Sequence, residues 1–360
     1  MNIHSTAKID PVINLVANNV DALINLDISG YGVIDKIYTA ARALHDRPLT
    51  LAAAEALRDR LHEGGTFFVT SGWIMPGTYP YGETDGPIGA ATLGRALGIA
   101  FGARMVVLTE PKMVACTIAS CRAAGLNVLT EEDLREAPRP PHPRFLHCII
   151  VPFPIDDGQA VSETTRLFDT FNPRALVAIE KNGPNQYGRY SMVDGSDNSD
   201  CVAKAARLFE EASRRGVLTI GIGDRGNEIG FGRIAEVPQK VLPFGENATD
   251  VTVVDILVTA AVSNWGASGI AAVLALLLRR PDVLHDTATE SRMLHRCIDA
   301  GGVDGFTCRP VPKSDGMEES THVAICALLN ELIRVPAITG GGLFSTPVFG
   351  TSSTHSGDRQ

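Results

Sequence analysis

Residues 217–232 read VLTIGIGDRGNEIGFG, an apolar run that exits into a turn with glycines at 221, 223 and 226. A β-rich run feeding such a G-x-G-x-x-G turn marks the carboxyl edge of a parallel sheet, where the turn either cradles a dinucleotide phosphate or grips something positive. Asp224 and Glu228 weigh against the phosphate, because two carboxylates beside a diphosphate repel it unless a cation intervenes. Asp224, Asn227 and Glu228 put three oxygen donors within five residues. Such a set suits a hard divalent ion such as Mg²⁺ or Mn²⁺, or else a substrate ammonium. The choice between ion and ammonium stays open at this point, and a nicotinamide cofactor is not expected.

Outward from this turn, short β-rich runs alternate with helical ones. The strands are expected in TFFVTS (66–71), ARMVVLT (103–109), LNVLT (126–130), RFLHCIIVPF (144–153), RALVAIE (174–180) and VLTIGIG (217–223), with helices such as IGAATLGRALGIAFG and VAKAARLFEEASRRG between them. Strands that are apolar throughout and separated by helices predict an α/β fold, a three-layer αβα sandwich around a mostly parallel sheet covered on both faces. A helical lead-in occupies residues 1–62, the α/β core 63–250, and a helical region 251–349, including TVVDILVTAAVSNWGASGIAAVLALLL. The whole reads as one domain over 1–350, with a proline-rich connector at 135–145 and a flexible polar tail at 350–360.

Composition narrows the partners. A chain of 360 residues, 44% of them apolar, can bury a large core, and its net charge of −9 disfavours nucleic acid and anionic membrane surfaces. The seven cysteines form no C-x-x-C pair and sit mostly in apolar stretches, as reduced packing residues of a cytoplasmic protein do. The longest apolar run, GIAAVLALLL at 269–278, is far shorter than a membrane span requires, and no export signal is expected at MNIHSTAKIDP. A small-molecule substrate is the expectation that remains. The oligomeric state is left open, a homo-oligomer included.

Polar residues at strand exits are the candidate site. Glu83 and Asp85 precede Pro87, so ETDGP reads equally as a helix cap; Glu180, Lys181 and Asn182 follow one strand, and Asp224, Arg225, Asn227 and Glu228 another. Asn264, Asp304 and Asp315 lie in later turns or helix starts. Neither HExxH nor a histidine spacing for zinc occurs.

Five ordered blocks, ETDGPIGAATLGRAL (83–97), AIEKNGPNQYGRYSMVDGSD (178–197), TIGIGDRGNEIGFG (219–232), SNWGASGIAAVLA (263–275) and GGVDG (301–305), together resemble the D-glutamate cyclase family, specifically its carboxy-terminal catalytic domain. The resemblance implies conversion of D-glutamate to 5-oxo-D-proline with loss of water, a lyase-class reaction. It makes Glu180, Lys181, Asp224 and Glu228 the expected catalytic residues, and Arg189, Arg225, Asn227 and Asn264 the expected substrate contacts. Glu83, Asp85, Asp224, Glu228, Asp304 and Asp315 become the expected metal ligands. Glu228 or Glu180 would accept the amine proton, and Lys181, Arg189 or Arg225 would hold the α-carboxylate. An NAD-type oxidoreductase, a metal-dependent phosphohydrolase and a non-catalytic amino-acid-binding module remain as alternatives.

Overall fold

Seven apolar, β-branched runs form one sheet in the computed structural model, which describes residues 10–62, 65–137 and 145–339. The strands are β1 (Thr66–Ser71), β2 (Arg104–Thr109), β3 (Asn127–Leu129), β4 (His147–Pro152), β5 (Ala175–Ile179), β6 (Leu218–Gly223) and β7 (Ile256–Thr259). They pair in the order β3-β4-β2-β1-β5-β6-β7, and every pairing is parallel. The central strands are buried on both faces, as helical crossovers require. The expected tail at 350–360 and most of the proline-rich connector lie outside the described residues.

Helices α1 (Pro11–Ile24), α2 (Ile34–Ala43) and α3 (Leu49–Leu61) form the expected lead-in. Asp21, buried in α1, accepts the N–H groups of Leu49 (2.7 Å) and Thr50 (3.1 Å), so one helix caps the start of another. The crossovers are α4 (Pro87–Phe101) after β1, α5 (Val114–Ala123) after β2, α6 (Glu131–Glu136) after β3, α7 (Asp157–Phe171) after β4 and α8 (Ala206–Arg215) after β5. Short helices α9 (Glu236–Val241) and α10 (Gly245–Ala248) follow β6, and the long α11 (Ser263–Leu278) follows β7, ahead of α12 (Thr287–Asp299) and α13 (Glu319–Thr339). One layer centres on α11, which packs against α3, α4 and α13; on the opposite face α7 sets Phe168 edge-on to Phe68 of β1, ring centroids 5.3 Å apart.

One expectation fails. The segment from residue 251 was expected to be helical, yet Ile256–Thr259 is the seventh strand, fully buried and in parallel register with β6. The strand and α11 are both apolar all round, so no change of period marks the boundary between them.

Strand order reverses at β1 and β5: the chain leaves β1 toward β2 and leaves β5 toward β6, on opposite sides. Crossovers that diverge this way open a crevice at the carboxyl ends of the two strands. A two-stranded hairpin, β8 (Lys313–Ser314) with β9 (Met317–Glu318), carries Asp315 on its turn.

Candidate functional site

The carboxyl ends of β1, β5 and β6 deliver the acidic residues to that crevice, and the end of β7 brings Ser263. Glu180 leaves β5 in the left-handed region, φ 47°, a conformation costly for a residue with a side chain and one that re-aims its carboxylate. Asp224 follows β6, whose turn then folds back over the strand. A Cβ at Gly223 would sit 2.8 Å from Glu228 Oε2 and 2.7 Å from Phe231, and Gly226 has φ 115°, so both positions require glycine. The glycines thus serve close approach of Glu228 to the strand end. The third glycine does not open a helix: α9 begins ten residues later, so the strand–turn–helix context of a dinucleotide fingerprint is missing.

Among the described residues, Glu180, Asp224 and Glu228 form the group whose ligand atoms all lie within 4.8 Å of one another, and all three are buried. Glu180 Oε2 accepts from the Ser263 hydroxyl (2.6 Å). Glu228 Oε2 accepts from the Gly226 N–H (2.8 Å), leaving Oε1 buried without a hydrogen bond. Neither oxygen of Asp224 has a hydrogen bond, although Oδ2 lies 2.9 Å from Arg225 Nη1 as an ion pair. Orphaned buried oxygens are expensive, and converging anionic ones suit a hard cation, so the residues present fit a divalent ion.

Electrostatics point the same way. Burial pushes the carboxyls of Glu83, Asp85, Glu180 and Asp224 well above the ordinary carboxylate range, and neighbouring acids add to it: Asp315 for Glu83 and Asp85, Glu228 for Glu180. For Asp224, Arg225 opposes the rise. Arg225 itself stays cationic, because four carboxylates outweigh its burial.

Asp85, Asn264, Asp304 and Asp315 have other partners. Asp85 accepts from the N–H groups of Ser263 (2.9 Å), Asn264 (2.8 Å) and Gly86 (3.0 Å). Asn264 Oδ1 accepts from Gly86 (3.0 Å) and Gly89 (2.6 Å). Asp304 accepts from Thr307 (2.8 Å) and Gly316 (2.7 Å), tying the 301–305 loop to the hairpin turn. Asp315 meets Arg225 at 3.2 Å. Glu83 is buried with Oε1 unpaired, beside Gly305, where a Cβ would collide with it. Asn227 is buried in the turn, and its carbonyl accepts from Asn182 (3.2 Å).

Lys181 is fully buried and pairs with Glu110 after β2, while also donating to the Gly72 carbonyl at 2.9 Å. Its ammonium therefore bridges over β1 and does not face the carboxylate group. Arg189 is 67% exposed, with Asp197 at 3.8 Å. Glu110 and Ser263 were not anticipated. Glu110 carries the same signal as the others, an acid directly after a strand, and Ser263 stands beside the expected Asn264 in a stretch read as helical throughout.

Residues 20–330 match the family described as D-glutamate cyclase-like, C-terminal. The chain is similar to the human protein D-glutamate cyclase, mitochondrial, at 29% identity over 131 residues, which is 36% of this chain and 20% of that relative. The match thus spans about a fifth of the relative's length. Among the described residues, no helix is long and apolar enough to cross a membrane.

Proposed function

The chain belongs to the D-glutamate cyclase-like C-terminal family, and from that premise we propose that it is a lyase-type cyclase that closes D-glutamate to 5-oxo-D-proline and water. The observation that carries this reading is the buried group Glu180, Asp224 and Glu228, with ligand oxygens within 4.8 Å and several of them unpaired.

Ring closure bonds the α-amine nitrogen to the γ-carboxyl carbon and breaks a carbon–oxygen bond there. Two protons pass from the ammonium to the leaving oxygen, which departs as water. Glu180, Asp224 and Glu228 would hold a divalent ion, Mg²⁺ or Mn²⁺, which when bound supplies Lewis-acid polarisation of a carboxylate. The protein's own contribution is proton handling and shape. Asp224 is paired with Arg225 and Glu228 accepts a backbone donor, whereas Glu180 accepts its hydrogen bond from the Ser263 hydroxyl. Of the three, Glu180 is the one proposed to take the amine proton. The crevice folds the substrate so that nitrogen and carbon meet at about 3–3.5 Å. Seven unpaired cysteines, five of them buried, support a reducing compartment, and the cytoplasm is the proposed location.

Incubation of D- and L-glutamate with the protein and Mn²⁺ or Mg²⁺, read by chiral chromatography, tests the reading. It predicts 5-oxo-D-proline from the D-isomer and none from an Asp224→Asn variant; no product with either ion contradicts it.

A further inference from the structure

A cavity of about 470 Å³ opens on Asp224 and Arg225. Its walls away from those two are mainly apolar, with Tyr31, Leu242, Phe244 and Phe306 among them. The Tyr31 and Phe306 rings stack at 6.2 Å, and the Arg225 guanidinium lies 4.9 Å over Phe306, so the aromatic wall begins where the acidic group ends. Tyr31, Phe244 and Phe306 remain 62%, 52% and 43% exposed. Free glutamate, whose apolar surface is two methylenes, leaves such a wall uncovered, and apolar cavities of this size ordinarily bury a larger apolar ligand.

The charges carry the argument further. The three cations expected to meet an α-carboxylate are each engaged: Arg225 with Asp224 and Asp315, Lys181 with Glu110, and Arg189 in solvent beside Asp197. No one of the three is therefore left without a carboxylate of the chain beside it to meet a substrate α-carboxylate. Ring closure uses the nitrogen, the α-carbon, both methylenes and the γ-carboxyl carbon, so the α-carboxyl is the one substituent of glutamate that stays outside the ring. An amide there removes a charge for which these cations are already engaged, and gives the aromatic wall an occupant.

Resting on the cyclase reading, we propose that the preferred substrate is a D-glutamyl compound whose α-carboxyl is amide-linked to an apolar or aromatic group, and that the cavity at Tyr31, Phe244 and Phe306 receives that group. The amine and the γ-carboxylate remain free, and the bonds made and broken are those of the parent reaction. The product is the corresponding 5-oxo-D-prolyl amide and water.

The experiment compares D-glutamic acid α-benzylamide with D-glutamate, in the presence of Mn²⁺, by mass-spectrometric detection of both lactams. Burying a phenyl group predicts a kcat/KM at least about 10-fold higher for the benzylamide. In Tyr31→Ala and Phe244→Ala the ratio of the two kcat/KM values falls toward one, a readout that general loss of folded enzyme does not move. Cyclisation of D-glutamate as fast as or faster than the benzylamide overturns this inference and leaves the cyclase reading standing. A benzylamide preference that persists in both variants overturns the cavity assignment. A solution dimer that either variant dissolves gives the aromatic wall to a second copy of the chain, and overturns it too. Cyclisation of neither compound removes the cyclase reading and this inference with it.

Discussion

Asp85 and Asn264 cap each other's helices. The Asp85 carboxylate, just before α4, accepts the first N–H groups of α11 at Ser263 and Asn264, while Asn264 Oδ1, in α11, accepts from Gly86 and Gly89 at the start of α4. The reciprocal bonds lock together the two helix starts that flank the acidic crevice, and they place Ser263 against Glu180. Both residues were expected to touch metal or substrate, and both are engaged with backbone. Asp85→Ala and Asn264→Ala should each cost about 1–2 kcal/mol, the upper range for a lost cap, read as a lowered melting temperature. An unchanged melting temperature with abolished Mn²⁺ binding would return Asp85 to the ligand set.

Lys181 and Glu110 form a buried pair across β1. Removing one partner strands the other charge away from water, so Glu110→Gln or Lys181→Met should destabilise by about 3–5 kcal/mol. The double replacement Glu110→Leu with Lys181→Met should recover most of that loss, since an apolar pair leaves no orphan. Denaturant melts of the three variants check the ordering; a double variant no better than the singles contradicts it.

Asp250 supplies a pH test outside the acidic group. Burial pushes its carboxyl up to about 8, against hydrogen bonds from Thr252, Gly230 and Phe231 that pull it down. The folded protein thus keeps this proton where the unfolded chain, with the ordinary value of 3.8, releases it. Its contribution to stability is full below that lower value and declines as pH rises toward 8, by up to about 1.4 kcal/mol per unit. Asp250→Asn should remove that slope. Urea melts at pH 5, 6, 7 and 8 would show parallel wild-type and variant curves if the carboxyl were ionised throughout.

Glu180→Gln should act in opposite directions with and without metal. In a chelator the variant loses one member of a repelling acidic group and melts at or above the wild-type temperature. With saturating Mn²⁺ the wild type gains about 2.7 kcal/mol at a hundredfold excess over its dissociation constant, and the variant gains less. A variant that melts lower in the chelator and gains as much from Mn²⁺ contradicts the metal role.

Six of the seven strands were legible because each is a short apolar run bounded by turn residues, and β1 begins and ends where expected, at Thr66 and Ser71. β7 was not, because ILVT runs into an equally apolar helix. At the site, the short-range pattern of Asp224 and Glu228 on a glycine turn was readable, since both lie on one loop. Partnerships were not. Whether Asp85 faces a cation or a helix start, and whether Lys181 turns inward to Glu110, depends on residues about 70 to 180 positions away, and spacing along one chain carries no record of them.

The central claim is that Glu180, Asp224 and Glu228 converge to hold a divalent ion. Anomalous diffraction from crystals grown with Mn²⁺ tests it most directly. The account predicts a single strong peak within about 2.2 Å of oxygens from these three side chains, absent from Asp224→Asn crystals. A peak on Asp304 or Asp85, or none at any carboxylate of the crevice, contradicts it.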